Sequence, residues 1–231
     1  MSLLVDGFKE AIELLISGND SVYSAIIVTI TVSSWSILIS LILGLPLGFL
    51  LGYYQFKGKT VIKTIVDTFL AFPTVVIGLL VYTTLSQAGA FGEYNLLFTQ
   101  KAIIIGQIFL GLPIIIALTA AQVESTDKRL YLSLKGLGAK PYQILLTTLV
   151  EARFGLMTAA MTAYGRIITE IGISMMVGGN IKYHTRTITT AISLETGKGE
   201  FETGIALGLV LFIVALMVNI ELSMLKRRWT Q

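Results

Sequence analysis

The sequence predicts an all-α integral membrane protein with five transmembrane helices, and three observations lead to this fold class. Of the 231 residues, 54% are hydrophobic and only 13% are Asp, Glu, Lys or Arg, whereas soluble globular chains carry about 25% charged residues. The apolar residues form continuous runs, and about 20 helical residues suffice to cross the hydrocarbon core of a bilayer. These runs lack the ten-residue alternation that is typical of a membrane β-barrel.

Five apolar runs define the predicted spans. The first would be about 50 Å long as a straight helix, so it must tilt or extend beyond the bilayer. Pro46, Pro73 and Pro113 lie inside the first three runs, where proline frees a carbonyl and bends the helix axis. Each proline is therefore interpreted either as a packing irregularity or as part of a pathway. The spans cover residues 22–54, 60–85, 101–122, 152–178 and 204–225.

An amphipathic helix is predicted within residues 1–20, ahead of the first span. One stripe of this segment is apolar, whereas Asp6, Lys9, Glu10 and Glu13 lie mostly elsewhere. The segment is too short and too charged to cross a bilayer, so we expect it to lie on the membrane surface. The stripe consists of Leu4, Phe8, Ala11, Ile12 and Leu15.

The orientation follows from the lysine and arginine residues, because cytoplasmic loops carry an excess of them. One set of loops, together with the C-terminal segment, holds 11 of these residues, and the other set holds 5. This bias predicts that the 125–150 loop and the C-terminus are cytoplasmic and that the N-terminus is outside. The net charge of +3 is small and scattered, so we expect membrane lipid and no nucleic acid around the chain.

The residues that enzymes and metal sites need are missing from the sequence. The chain has no cysteine and a single histidine, His184, which excludes thiol catalysis, cysteine-bound zinc and sites with two histidines. Gly58-Lys59-Thr60 suggests a phosphate-binding loop, but Tyr53 occupies the position of the required first glycine. We therefore expect no enzymatic activity, and no metal or cofactor bound by this chain.

The loop at residues 125–150 has the pattern of a short helix, a turn and a second helix. Gly138 suits a helix C-terminus that needs a left-handed residue, and Pro141 suits the first position of the next helix. Leucine and tyrosine side chains exposed on such a loop indicate a docking surface.

This loop resembles the cytoplasmic E-A-A-x-x-x-G loop of the transmembrane subunits of type I ABC importers. Leu137-Gly138-Ala139-x-Pro141 matches its glycine-centred core, whereas Leu132-Ser133-Leu134 replaces E-A-A, and Val150 or Glu151 replaces the family's proline. The resemblance implies the type I ABC importer permease fold, with a cytoplasmic coupling helix that fits a groove on a separate ATPase subunit. The implied coupling residues are Leu132, Ser133, Leu134, Gly138, Ala139 and Pro141.

Residues 165–180, 185–192 and 194–200 are similar to the oxyanion-importer branch of this family, closest to the tungstate permeases. Glu170-Ile171-Gly172-Ile173 stands where molybdate permeases have Glu-x-Gly-Ala, and residues 71–78 resemble the family's proline-centred helix beside the pathway. The resemblance implies ATP-driven uptake of a tetrahedral oxyanion, with tungstate as the expected cargo. The alternatives are molybdate or another anion, and the permease of a phosphate, sulfate or amino-acid importer. The resemblance also implies a homodimer in a prokaryotic plasma membrane, two ATPase copies that carry ATP and Mg²⁺, and an external substrate-binding protein.

A charged pair lies inside the fourth span. A charge within a span costs about 2.5–3.5 kcal/mol and normally faces the interior of the bundle. Arg166 and Glu170 are four residues apart, within reach on one helix face. They are interpreted as part of the pathway or as a structural ion pair; a third reading makes Glu170 the proton carrier of a secondary transporter that needs no ATPase. The candidate pathway residues are Pro73, Thr74, Arg166, Glu170, Ser174 and Met175.

Two further features of the fourth span leave alternatives open. Gly155, Ala159 and Ala163 recur every four residues, which allows close helix contact either between two copies or within one chain. Met175 and Met176 lie near the outer half of the span and are either part of an apolar gate or flexible fillers of the core.

Overall fold

The computed structural model describes residues 2–126 and 128–228, and the regular structure of these residues is helical. A single 3₁₀ turn, Gly92–Tyr94, lies between the fourth and fifth helices. The helices are α1 (Ser2–Ile16), α2 (Asp20–Tyr53), α3 (Lys59–Leu70), α4 (Thr74–Leu85), α5 (Gln100–Glu124), α6 (Lys128–Gly136), α7 (Pro141–Ile168), α8 (Gly172–Gly178), α9 (Ile188–Gly197) and α10 (Phe201–Arg228).

Four helices in the described part of the chain are long and apolar enough to cross a membrane, namely α2, α5, α7 and the Phe201–Glu221 part of α10. Helices α3 and α4 together meet the same test, but they are bent by 97° at a short break. Counted as one broken span, this pair brings the total to the five spans that the sequence predicts.

The predicted span at residues 60–85 is therefore two helices. Helix α3 ends at Leu70, and Pro73 in an extended conformation precedes α4, which begins at Thr74. Proline disfavours the helical conformation of the residue before it and lacks the N–H that would continue the helix. Pro46 and Pro113, by contrast, lie inside the continuous helices α2 and α5.

The predicted span at residues 152–178 also differs from the structure. Helix α7 begins at Pro141 and ends at Ile168, so its first turns take up the second half of the predicted 125–150 loop. Thr169 leaves the helical conformation, and residues 172–178 form the separate short helix α8. The side chain of Glu170 accepts a hydrogen bond from the Ile173 N–H at 3.1 Å, which satisfies a free donor at the start of α8 and favours a break here.

Helices α2 and α5 pack closely through glycines on α2. A Cβ atom on Gly48 would lie 2.7 Å from the Ile116 carbonyl oxygen, and one on Gly52 would lie 2.7 Å from the Ala120 carbonyl oxygen. Glycines four residues apart therefore bring the two backbones together, as small residues do in membrane bundles.

The stripe of small residues on α7 is used within the chain. Ala159 and Ala163 are buried, and a Cβ atom on Gly155 would overlap the side chain of Gln122 on α5. Of the two interpretations of this stripe, the structure shows the intramolecular one.

Helix α1 packs against the start of α10. The Thr203 hydroxyl donates a hydrogen bond to Glu10 Oε1 at 2.8 Å, and Ala11 is buried. The predicted amphipathic helix is thus present. The side chains of Leu4, Phe8 and Leu15 in its apolar stripe lie outside the described part of the structure.

Candidate functional site

One face of α7 is polar and exposed although the helix is long and apolar enough to span a membrane. Thr158, Thr162, Arg166 and Thr169 are exposed along this face. The three threonine hydroxyls donate to the carbonyls four residues earlier, at 2.9 to 3.0 Å, and Arg166 is the charged member of this set. Charged groups at membrane depth face a bundle interior or a water-filled cavity, so this face is a candidate wall of a pathway.

Arg166 pairs with Glu170 across the end of α7. The guanidinium Nη1 donates to Glu170 Oε2 at 3.2 Å. The arginine side chain is 47% exposed, whereas the glutamate side chain is 2% exposed. The pair therefore points its positive end outward and holds its negative end in the core, where Glu170 Oε1 also accepts from the Ile173 N–H.

A chain of buried threonines holds the backbone around Glu170. The Thr189 hydroxyl donates to the Glu170 carbonyl at 3.0 Å and is 2.9 Å from the Thr187 hydroxyl. The Ile188 N–H donates to the Thr29 hydroxyl on α2 at 2.9 Å. Helices α2, α8 and α9 are thereby joined through polar groups, and each of these groups has a partner, as buried polar groups require.

The break between α3 and α4 lies beside this network. A Cβ atom on Gly172 would lie 3.1 Å from Thr74 Oγ1 and 3.2 Å from Glu170 Oε1. The start of α4 therefore lies close to the Glu170 carboxylate, with Gly172 between them. A side chain at this position would push the start of α4 away from α8.

The structure brings most of the predicted pathway residues together, with different exposures. Thr74, Arg166 and Glu170 surround Gly172 or contact one another, and Pro73 and Met175 are exposed next to them. Ser174 is completely buried on α8, and its hydroxyl has no partner within the described residues. Ser174 therefore does not lie on the exposed face of the chain, and only the other five predicted residues reach the surface or the charged pair.

The segment at residues 128–141 has the geometry expected of a docking helix. Gly138 has a left-handed conformation with φ +77°. The Ala139 N–H donates to the Leu134 carbonyl at 3.0 Å, and the Gly138 N–H donates to the Lys135 carbonyl at 3.1 Å. These two bonds form the Schellman pattern that ends a helix, and Pro141 starts α7. Both expectations for Gly138 and Pro141 are confirmed.

Two leucine side chains of this segment are largely exposed in the described structure. Leu132 is 64% exposed and Leu137 is 83% exposed. Ser133, Gly138 and Pro141 are also exposed, whereas Leu134 and Ala139 are half-buried. Large leucines exposed at the end of a membrane bundle indicate a protein contact surface.

The polar face of α7 and the segment at residues 128–141 differ in what they can bind. The described residues contain no group of three or more His, Cys, Asp or Glu residues that could hold a metal ion. An exposed guanidinium flanked by hydroxyls can donate hydrogen bonds to an anion. A helix with exposed leucines can be held by a groove on another subunit.

Sequence reasoning missed the threonine network. Residues 178–203 lie between two predicted spans, yet Thr185, Thr187, Thr189 and Thr190 are buried and α9 packs against α10. The signal was the run of threonines at 185–190, since hydroxyls need partners when they are buried. His184 is exposed.

A family model described as "Binding-protein-dependent transport system inner membrane component" matches residues 44–231. The chain is 51% identical over 227 residues, or 98% of its length and 95% of the relative's, to the tungstate uptake system permease protein TupB of Campylobacter jejuni. It is 35% identical to TupB of Peptoclostridium acidaminophilum, over 95% of this chain and 96% of the relative. It is 41% identical to a probable anion ABC transporter permease protein of Haloferax volcanii, over 83% and 85%.

Two solved structures share the fold at 20% sequence identity. A bacterial alginate ABC transporter in complex with an alginate pentasaccharide-bound periplasmic protein matches 97% of this chain and 88% of its own chain, with a TM-score of 0.77. The inward-facing MetNI methionine ABC transporter matches 88% of this chain and 94% of its own chain, with a TM-score of 0.69. The predicted type I ABC importer permease fold is confirmed.

Proposed function

Because the chain belongs to the binding-protein-dependent transport system inner membrane components, we propose that it is the transmembrane permease subunit of an ATP-driven tungstate importer. The observation that carries the proposal is the 51% identity, over almost the full length of both chains, to a tungstate uptake system permease protein. Relatives named for molybdenum transport are 25–27% identical, which favours tungstate as the cargo.

The polar face of α7 supports a homodimer that encloses the pathway. In a single chain this face exposes Arg166 and three threonines, and lipid contact with the guanidinium would be unfavourable. Two copies that face each other would surround the polar faces with protein and water. Each copy would then contribute one Arg166 guanidinium to an oxyanion in the pathway, with Glu170 fixing the orientation of that guanidinium.

The exposed α6 segment supports docking of ATPase subunits. In this proposal each copy of the chain places Leu132 and Leu137 in a groove of one ATPase subunit, and two such subunits hydrolyse ATP with Mg²⁺. In this proposal the chain itself contributes no catalytic residue to the hydrolysis. The excess of Lys and Arg on the loops at this end supports a cytoplasmic location of α6 and the C-terminus, with the N-terminus outside.

The outer end of the bundle would receive the oxyanion from a substrate-binding protein. Alternating access then moves the substrate between the two copies, with the ATPase supplying the energy. Tungstate and molybdate share charge and shape, so neither Arg166 nor the threonines distinguish them. The choice between the two anions rests on the relatives.

The test uses the purified chain reconstituted in vesicles with its ATPase subunit and its binding protein. We expect tungstate to stimulate ATP hydrolysis and to enter the vesicles only when all three proteins are present. Molybdate and sulfate, added at the same concentration, serve as the matched controls for cargo. Uptake by the chain alone, driven by a proton or sodium gradient, would overturn the proposal in favour of a secondary transporter.

A further inference from the structure

A buried lysine joins three helices at the end of the bundle that carries α6. Lys59, the first residue of α3, is 8% exposed. Its ammonium donates to the Gly52 and Tyr54 carbonyls at the end of α2, both at 3.1 Å, and lies 3.0 Å from Glu124 Oε1 at the end of α5. An ammonium has three N–H donors, and each of them has an acceptor here.

The Glu124 carboxylate lies at the end of a helix that disfavours a negative charge. Glu124 is the last residue of α5, and a negative charge at a helix C-terminus opposes the helix dipole. Two lysines compensate for this, because Lys63 Nζ also lies 2.6 Å from Glu124 Oε2. Glu124 therefore bridges the first turns of α3 rather than stabilising its own helix. We call Lys59, Lys63 and Glu124 the basal cluster.

The basal cluster lies between the docking segment and the candidate pathway. Only residues 125–127 separate Glu124 from the start of α6. From Lys59, helix α3 runs to Leu70, and after three intervening residues Thr74 lies beside Gly172 and the Glu170 carboxylate. The ion pairs of Glu124 thus connect the end of α5 to α3, and α3 leads to the candidate pathway through the bend at Pro73.

The helices around the basal cluster are packed so closely that movement of one helix displaces its neighbours. Gly48 and Gly52 hold the end of α2 against α5 with almost no space for a Cβ atom, and close-packed elements transmit strain. Helix α3 packs against α5, while most of its side chains beyond Lys59 are exposed. The basal cluster is therefore a polar connection between α3 and the helices that lead into α6.

We propose that Glu124 is a positioning residue that couples movement of the docking segment to α3 and α4. This inference rests on the proposed function, since it requires an ATPase that moves α6. Without the carboxylate, α6 still docks through its leucines, but α3 no longer follows the end of α5. ATP hydrolysis then becomes independent of the state of the pathway.

The experiment compares Glu124→Gln with Lys63→Gln in the reconstituted complex of the full chain, its ATPase and its binding protein. Glu124→Gln removes the charge that holds both lysines, whereas Lys63→Gln leaves the contact between Lys59 and Glu124. We measure ATP hydrolysis with and without the tungstate-loaded binding protein, and the amount of ATPase that co-purifies. For Glu124→Gln we expect unchanged co-purification and basal hydrolysis, and a loss of stimulation by about fivefold or more, the range of a typical coupling between sites.

The outcomes separate this inference from the proposed function. Wild-type stimulation in Glu124→Gln would overturn the inference alone. Loss of ATPase co-purification in Glu124→Gln would also overturn it, because the carboxylate would then be needed for docking rather than coupling. Equal loss of stimulation in Lys63→Gln, which keeps the buried Lys59–Glu124 pair, would show that this pair does not carry the coupling and would again overturn it. Absence of stimulation in the wild-type complex would instead contradict the proposed function.

Discussion

The Arg166 guanidinium donates to the Glu170 carboxylate at 3.2 Å, with the arginine half exposed and the glutamate almost fully buried. Because the buried carboxylate also accepts from the start of α8, the pair connects the exposed face of α7 to the position of α8. An ion pair with this asymmetry can present a positive charge without leaving its partner unsatisfied.

Replacing Arg166 tests whether this pair acts in the pathway or only in the structure. We expect Arg166→Met to lower tungstate uptake about tenfold or more, because a pathway guanidinium is lost and the charge of Glu170 is left unpaired. The double variant Arg166→Met/Glu170→Gln removes both charges and should recover thermal stability in detergent while uptake stays low. Recovery of uptake in the double variant would identify a purely structural ion pair.

Adding one methyl group to the α2–α5 contact should destabilise the bundle. A Cβ atom on Gly52 would lie 2.7 Å from the Ala120 carbonyl oxygen, so Gly52→Ala forces the two helices apart and is expected to cost about 1–3 kcal/mol. Gly208→Ala on α10 is the matched control, because a Cβ atom there meets nothing within 4 Å. Thermal unfolding in detergent measures the stability of both variants. Equal unfolding midpoints for Gly52→Ala and Gly208→Ala would contradict the close contact between α2 and α5.

Two glycines of the docking segment should differ sharply on replacement by alanine. Gly138 has φ +77°, a conformation that costs a residue with a side chain about 1–2 kcal/mol, so Gly138→Ala should displace the end of α6 and weaken ATPase association. Gly136 is the last residue of α6, and a Cβ atom there meets nothing within 4 Å. Gly136→Ala should therefore leave association with the ATPase unchanged or improved. Co-purification of the ATPase, titrated with salt, measures the difference. A larger loss in Gly136→Ala would argue against the turn as the essential feature.

The exposed leucine after α6 should contribute to ATPase affinity without contributing to the fold. Leu137 is 83% exposed, so Leu137→Asp removes little buried surface from the described residues and should leave thermal stability almost unchanged. If the side chain enters a groove of the ATPase, its loss should raise the Kd about 30-fold, the effect of a 2 kcal/mol interface residue. Leu137→Met is the apolar control. An unaltered Kd in Leu137→Asp would place the contact elsewhere on the segment.

Local features were predictable because they depend on residues close together in the chain. The apolar runs predicted the number of spans, since a continuous apolar run satisfies its backbone hydrogen bonds in lipid by forming a helix. Gly138 and Pro141 marked the end of α6 and the start of α7, because only certain residues favour those conformations. The spacing of four between Arg166 and Glu170 placed them within reach, and they meet even though α7 ends at Ile168.

Contacts between distant segments were decided by tertiary packing. Three prolines lie in apolar runs, yet only Pro73 separates two helices at a 97° bend, so the identity of the residue does not determine the bend. The bond from the Ile188 N–H to Thr29 joins residues 159 positions apart, and the Lys59–Glu124 pair joins two helices that no periodicity relates. The composition of the sequence determines that the protein lies in lipid, and the spacing of its residues determines the local backbone conformation. The partners of buried polar groups, by contrast, depend on which helix surfaces the folded chain brings together.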